Sequence, residues 1–358
     1  MRRIRLRLPR LALASLLLAP LGVAAQGKEG DFVLPSHRFS TGETLADVKL
    51  HYVTLGTPKR DAAGTVRNAV LVLHGTGGTG GQFLGAGFAG GLYGAGQLLD
   101  TTRYYVILPD NIGHGKSSRP SDGLRMKFPR YGYTDMVTLQ HTLLTQGLGV
   151  NHLRLVMGTS MGCMHAWMWG YMYPDFADGL VPLACAPTQI AGRNRMMRRL
   201  ILDYVRNDPE WKDGAYTSPP PGLKASLGML FMMTSAPLVQ QRQAPTRDVA
   251  DSVIRAFIDS RFRTTDANDM LYQFDSSRDY DPSPFLERIT APVLAINSAD
   301  DLVNPPELGF MERLMPRVKR GRYVLLPTSE RTRGHGTHTL PAVWGGYLKE
   351  FLKALGGM

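Results

Sequence analysis

Leu153-Arg154-Leu155-Val156-Met157-Gly158-Thr159-Ser160-Met161-Gly162 is the stretch on which the fold turns. Leu153, Leu155, Val156 and Met157 form a short apolar run that ends abruptly in Gly158-Thr159-Ser160-Met161-Gly162. This is the G-x-S-x-G pattern of a nucleophile elbow, where a strand turns sharply into a helix with serine at the apex. Such a turn strains the serine backbone and brings neighbouring chain close, so the flanking positions must be small, as Gly158 and Gly162 are. From Met161 to Tyr173 there is no proline, and Met161, Met164, His165, Met168 and Met172 recur at helical spacing until Pro174. Five letters match many glycine-rich loops by chance. A strand before them and a helix after them are the context that the motif requires.

Working outward, Leu50 to Gly56 (LHYVTLG) alternates as a strand and closes at Gly56-Thr57-Pro58. Ala69 to His74 (AVLVLH) and Tyr104 to Pro109 (YYVILP) are continuous apolar runs, the mark of strands buried on both faces. Thr134 to Leu148 predicts a helix with Met136, Leu139, Leu143, Leu144 and Leu148 on one face, and Gly179 to Ala184 (GLVPLA) a further strand. The alternation breaks near Pro187 and resumes with Pro292 to Asn297 (PVLAIN), Arg322 to Leu326 (RYVLL) and a helix from Ala342 to Leu355. Strands alternating with helices predict an α/β fold, a mostly parallel, doubly wound sheet covered on both faces. Residues 188–288, rich in Met, Arg and Pro and without a strong strand, predict a helical cap inserted between core segments 26–187 and 289–358.

The first 25 residues predict an export signal peptide. Arg2, Arg3, Arg5, Arg7 and Arg10 form a basic start, Leu11 to Val23 an apolar middle, and Val23-Ala24-Ala25 a small-residue cleavage site. The expected location is periplasmic or secreted, with an uncleaved anchor as the alternative. Processing removes five Arg and lowers the formal charge from +11 to 36 − 30 = +6. The one dense basic run left is Arg193 to Arg199, so nucleic acid is not an expected partner. No apolar stretch after the N-terminus is long enough to span a membrane. The two cysteines, Cys163 and Cys185, are expected as buried free thiols, a bridge being open to them only in an oxidising compartment.

A serine hydroxyl is a poor nucleophile at neutral pH and needs a base within hydrogen-bond reach, itself oriented by an acid. In elbow architectures these partners follow in the order Ser, acid, His, on turns after later strands. PVLAIN is followed by Ser298-Ala299-Asp300-Asp301, and RYVLL by a loop containing Gly334-His335-Gly336-Thr337-His338. Asp301 is preferred because it precedes Pro305 by four residues, and His335 because Gly334 before it allows a tight approach to the serine. Asp300 and His338 stay open as alternatives. Oxyanion donors are expected from the backbone N–H of Met161 and from the loop after AVLVLH, most simply Thr76.

Other motifs fall away. Gly75-x-Gly77-x-x-Gly80 with Asp100 some twenty residues on matches the dinucleotide fingerprint, but the same loop is needed for the oxyanion. Gly115-Lys116-Ser117 resembles the end of a phosphate loop but has Asp110 where that motif needs glycine. His335-x-x-His338 lacks a third ligand at a metal spacing. No cofactor or metal is expected. Met161/Met164/Met168 and Met229/Met232/Met233 read as core, with lining of an acyl pocket the lesser alternative.

With elbow, acid loop and His loop assembled, the chain resembles the α/β-hydrolases and, among them, the homoserine O-acetyltransferase group. The matching stretches run over about residues 45–355: Leu50 to Gly56, Gly158 to Met164, Asn207-Asp208-Pro209-Glu210-Trp211, Pro221-Gly222-Leu223, Asp266-Ala267-Asn268, Asp301 with Pro305-Pro306, and Gly334-His335. The resemblance implies Ser160, Asp301 and His335 as the triad. Departures point elsewhere for the reaction. Thr159 and Cys163 stand where the acetyltransferases usually have glycine, and His74-Gly75-Thr76-Gly77 is the generic hydrolase form of the oxyanion loop. The family's substrate-carboxylate arginine falls near Arg198, in a run that differs. An exported enzyme also has no acetyl-CoA to use. The expected activity is therefore an exported, esterase-like serine hydrolase acting on esters of small or medium acyl groups, with an O-acyltransferase and a non-catalytic binding module as alternatives. A second copy of the chain is the one macromolecular partner considered.

Overall fold

The computed structural model describes residues 27–356; the expected signal peptide lies outside them. Eight strands form one sheet: β1 (Lys28–Arg38), β2 (Thr44–Leu55), β3 (Ala69–Leu73), β4 (Tyr105–Pro109), β5 (Leu155–Thr159), β6 (Leu180–Leu183), β7 (Val293–Ser298) and β8 (Gly321–Leu326). Their order is β1-β2-β4-β3-β5-β6-β7-β8. β2 pairs antiparallel with β1 and β4, and all later pairs are parallel. Elbow strand β5 thus lies mid-sheet, flanked by β3 and β6.

Every residue of β3 to β7 is buried, as strands covered on both faces require. Alternate side chains enter two separate cores. Ala69, Leu71, Leu73, Val156, Val293 and Ala295 face one, and Val70, Val72, Leu155, Met157, Leu294 and Ile296 the other. The helices covering them are α1 (Ala86–Leu92), α2 (Tyr133–Thr142) and α3 (Met161–Met172), then, after the cap, α9 (Phe310–Leu314) and α10 (Pro341–Ala354), with α4 to α8 between. α2 is shorter than its sequence suggests, passing at Leu143–Gly147 into a π turn.

β1 leaves no strand signature in the sequence. KEGDFVLPSHR carries charges, Gly30 and Pro35 and little alternation, because it is an edge strand with one neighbour and mostly exposed side chains.

Between β6 and β7 the described chain forms no strand. It contains α4 (Gly192–Arg206), α5 (Gly222–Thr234), α6 (Pro237–Gln243), α7 (Arg247–Phe262) and α8 (Ala267–Asp275). Met197, Ile201, Leu202 and Val205 on one face of α4 pack with Leu223 and Leu227 of α5 and Met270, Leu271 and Phe274 of α8 in a third core. α8 is tied to the sheet domain by polar contacts. Asp269 accepts from Ser121 N at 2.9 Å and Ser121 Oγ at 2.7 Å, Gln273 Nε2 donates to Gly113 O at 2.9 Å, and Asp279 accepts from Tyr133 N and Thr134 N at 2.9 Å. α7, by contrast, contains no buried residue and leans on α5.

Candidate active site

The elbow forms as its residues dictate. Ser160 sits between β5 and α3 with φ 54° and ψ −110°, a strained conformation for a residue with a side chain. A Cβ on Gly158 would collide with the carbonyl of Gly162, and one on Gly162 with the carbonyl of Leu73 in β3. Both glycines are therefore steric requirements. Ser160 N donates to Leu183 O of β6 at 2.9 Å, fixing the apex against the neighbouring strand.

The acid and base arrive on the loops after β7 and β8. His335 Nδ1 donates to Asp301 Oδ2 at 2.8 Å, and its Nε2 lies 2.8 Å from Ser160 Oγ. A carboxylate on Nδ1 sets the tautomer, so Nε2 is free to accept the serine proton. Burial alone would raise the Asp301 carboxyl. Its contacts with His335, the Asn304 side chain and the Val303 N–H outweigh burial and hold it below the usual carboxylate value. Val303 N donates to Asp301 Oδ1 at 2.8 Å; Asn304 Nδ2 donates to Asp301 Oδ2 and to Ala184 O, both at 3.0 Å.

The open alternatives separate cleanly. Asp300 accepts from Gly334 N at 2.9 Å and from the Ser298 hydroxyl, so it ties the acid loop to the His loop and does not bond the histidine. His338 packs edge-on against His335 with ring centres 5.1 Å apart, and burial, the largest cause, with His335 pushes its pKa down to about 3. Gly334 is needed for a different reason than expected. Its φ is +57°, and a Cβ there would lie 2.7 Å from Ala236 Cβ and 3.0 Å from Asp300 O. The close approach is to the cap and the acid loop, not to the serine.

Gly75 and Thr76 lie beside the nucleophile, an added Cβ on Gly75 falling 3.3 Å from Ser160 Cβ, and Met161 opens α3. Asp110 fastens this loop: Oδ1 accepts from Gly80 N at 2.7 Å and Oδ2 from Lys116 N at 2.8 Å. The aspartate that spoiled the phosphate-loop match is thus a clamp. Asp100 accepts from Gly96 N, Thr102 N and Thr102 Oγ1 within its own turn and makes no bond to the glycine loop. Among the described residues no cluster of His, Cys, Asp or Glu could hold a metal.

Two cavities meet at the nucleophile, one of about 320 Å³ and one of about 460 Å³, and share Ser160, Arg198, Val303 and His335. Arg198 is 3% exposed, yet no carboxylate lies within ion-pair distance among the described residues. Its Nε donates to Asn194 Oδ1 at 3.0 Å, and its guanidinium lies 5.4 Å over the Phe274 ring. The buried Tyr133 hydroxyl faces Arg198 and Thr76. Arg198, which resemblance alone had brought to notice, is thus a buried cation facing the reacting serine. Tyr133 and Asn304 went unnoticed. The signal for Asn304 was its place three residues after the acid, in reach of an Asx-type turn.

One expectation is overturned. Cys163 and Cys185 are joined in a disulfide, with Cα atoms 5.9 Å apart. Cys163 lies on the first turn of α3, and Cys185 follows β6, where Asn297 Oδ1 and Nδ2 bond its N–H (3.2 Å) and C=O (3.1 Å). Their separation in sequence is 22, but parallel β5 and β6 bring the start of α3 and the end of β6 to the same corner. The methionines divide. Met161, Met164 and Met168 are buried and Met164 also lines the smaller cavity, Met233 lines the larger one, and Met232 is 59% exposed.

Known proteins share this fold. The profile of the alpha/beta hydrolase fold family matches residues 68–325. The chain is 30% identical to a homoserine O-acetyltransferase of Haemophilus influenzae over 307 residues, covering 80% of this chain and 78% of that one. It is 28% identical to a probable acyltransferase of Methanothermobacter thermautotrophicus, covering 80% and 88%. Similar solved structures include homoserine O-acetyltransferase from Bacillus anthracis (TM-score 0.78, 23% identity, 91% and 97% covered) and esterase E22 (TM-score 0.78, 22% identity, 91% and 100% covered). The chain belongs to the α/β-hydrolase fold family and, within it, resembles the homoserine O-acetyltransferases.

Proposed function

We propose that the chain is an exported serine esterase working through an acyl-enzyme. Ser160 Oγ attacks the acyl carbon while His335 Nε2 takes its proton, and Asp301 stabilises the imidazolium. The N–H groups of Met161 and Thr76 hold the oxyanion; one such donor is worth about 2.7–4 kcal/mol. His335 returns the proton to the departing alkoxide. Water, losing a proton to the same nitrogen, then attacks the acyl carbon, releasing the acid and restoring Ser160. The observation that carries this reading is the unbroken Ser160–His335–Asp301 chain of 2.8 Å hydrogen bonds. The Cys163–Cys185 disulfide supports the exported location, since such bonds persist in oxidising compartments.

Acyl transfer to an alcohol uses the same covalent step, and Arg198 favours it as the second reading. A buried guanidinium without a carboxylate partner, facing the nucleophile, suits an acceptor carrying its own carboxylate. The sequence relatives named as acyltransferases add weight to it.

A fluorophosphonate probe should label the folded wild type at Ser160 and leave Ser160→Ala unlabelled; an unlabelled wild type would point to a non-catalytic module. Offered acetyl-CoA and homoserine, the purified protein should transfer acetyl to water at least as fast as to homoserine. Faster transfer to homoserine would replace the esterase reading with the acyltransferase one.

A further inference from the structure

The two cavities at Ser160 differ in lining. The smaller, of about 320 Å³, lies under the segment from Leu302 to Met311 and is walled by Met164, Ala186, Ile190, Phe310, Met311 and the disulfide-linked Cys185. Apart from the buried Arg198 and the triad His335, which both chambers share, its charged residues Arg193, Glu307 and Glu312 are exposed. The larger, of about 460 Å³, lies between cap and core. It carries the oxyanion loop, Gln82, Thr234, Arg261 and Thr339 besides the apolar Leu230, Met233 and Phe274.

An ester carbonyl carries its acyl chain and its alkoxy group on opposite sides of one planar carbon. A nucleophile at the junction of two chambers therefore places one half in each. The acyl half stays bound through both steps, whereas the alkoxy half must leave and be replaced by water or an alcohol. The more polar chamber beside the oxyanion loop suits exchange; the more apolar one, walled in part by Cys185 of the disulfide, suits a resident chain.

We infer that the chamber under Leu302 to Met311 is the acyl site and that the preferred substrates are esters of medium-chain fatty acids rather than acetates. This rests on the serine acyl-enzyme reading above. The chamber holds roughly ten times the volume of one water, far more than an acetyl methyl fills. Each methylene that enters it should raise kcat/KM roughly threefold to fourfold, until the chamber is full.

The test is a p-nitrophenyl ester series from acetate to decanoate on the full chain, with two filling variants. In the wild type kcat/KM should climb from acetate to hexanoate or octanoate. Ile190→Trp, in the small chamber, should lower the octanoate-to-acetate ratio tenfold or more. Met233→Trp, in the large one, should leave that ratio within about twofold while changing the preference among octanoate esters of different alcohols. Thermal melts and fluorophosphonate labelling accompany each protein. A wild type that prefers acetate, or variants whose effects are exchanged or absent while Ser160 still labels, overturns the assignment alone. A wild type that neither labels nor cleaves any ester overturns the acyl-enzyme reading and the assignment with it.

Discussion

Removing the Cys163–Cys185 bridge by the double substitution Cys163→Ala/Cys185→Ala gives a perturbation whose size follows from connectivity. The bridge closes a loop with a sequence separation of 22 residues. Loop-closure entropy for that length is about −11 cal/mol/K, so the bridge should stabilise the fold by about 3.4 kcal/mol at 25 °C. An unfolding entropy near 2.1 cal/mol/K per residue over the roughly 330 described residues is about 0.7 kcal/mol/K, which converts the loss to a Tm lower by about 5 °C. The assay is a thermal melt of wild type, wild type with reductant, and the double variant. Thiol titration in denaturant runs alongside, in which two thiols should appear only after reduction. The variant and the reduced wild type should both melt several degrees early. Agreement of the double variant with the oxidised wild type to within about 1 °C would refute the reasoning, because residual structure in the unfolded chain would then already restrict the loop as much as the bridge does.

Two further outcomes follow from the site and the core. Asp301→Asn should lower kcat by about 10⁴ because His335 loses the partner that sets its tautomer, whereas Asp300→Asn, which loosens one loop contact, should lower it by less than about tenfold; equal losses in steady-state ester cleavage would refute this division of roles, and a larger loss for Asp300→Asn would reverse it. His114, pushed down to about 3 chiefly by burial, and His338, likewise at about 3, stay neutral in the fold while the unfolded chain protonates below about 6.5. The unfolded state therefore binds more protons between those values, so stability falls as pH drops through 6.5 and stops falling on their account below 3. Each should contribute a loss of about 2 kcal/mol between pH 7 and pH 5. Urea unfolding of His114→Gln at the two pH values should show that much less pH sensitivity than the wild type, and an unchanged difference would exclude His114 as a source.

What could be read from the chain and what could not divide along physical lines. AVLVLH, YYVILP, LRLVMG, GLVPLA and PVLAIN announce themselves because a strand buried on both faces has no polar side to interrupt it. The order of serine, acid and histidine was legible because Ser160 and Asp301 sit just after such strands and His335 on the loop after RYVLL, an edge strand with a partly exposed face. β1 was not, since an edge strand is held by its backbone pairing to β2 and leaves no apolar pattern. The choice between Asp300 and Asp301 was a matter of one residue in register. In the structure it is decided by which carboxylate Val303 N and Asn304 turn toward His335, a contact that no spacing encodes. The disulfide was misjudged for a related reason. A separation of 22 in sequence carries no sign of proximity until β5 and β6 are known to be parallel neighbours. Arg198 was visible as one arginine in a basic run; only the packing of α4 on α8 makes it the buried one.

The unequal anchoring of the cap helices bears on how such an enzyme can change. α8 is fastened to the sheet domain through Asp269, Gln273 and the following Asp279, and brings Phe274, over which Arg198 of α4 lies, to the cavity at the reacting serine. α7 buries no residue and touches chiefly α5, so its sequence is only loosely constrained by the fold. Substitutions and insertions along Arg247–Phe262 can therefore accumulate without disturbing the triad, yet Arg261 on that helix lines the cap-side chamber. Selection for a new leaving group or acceptor can work on this peripheral helix while the catalytic apparatus is inherited intact. One wall of the substrate chamber is thus free to vary apart from the catalytic apparatus.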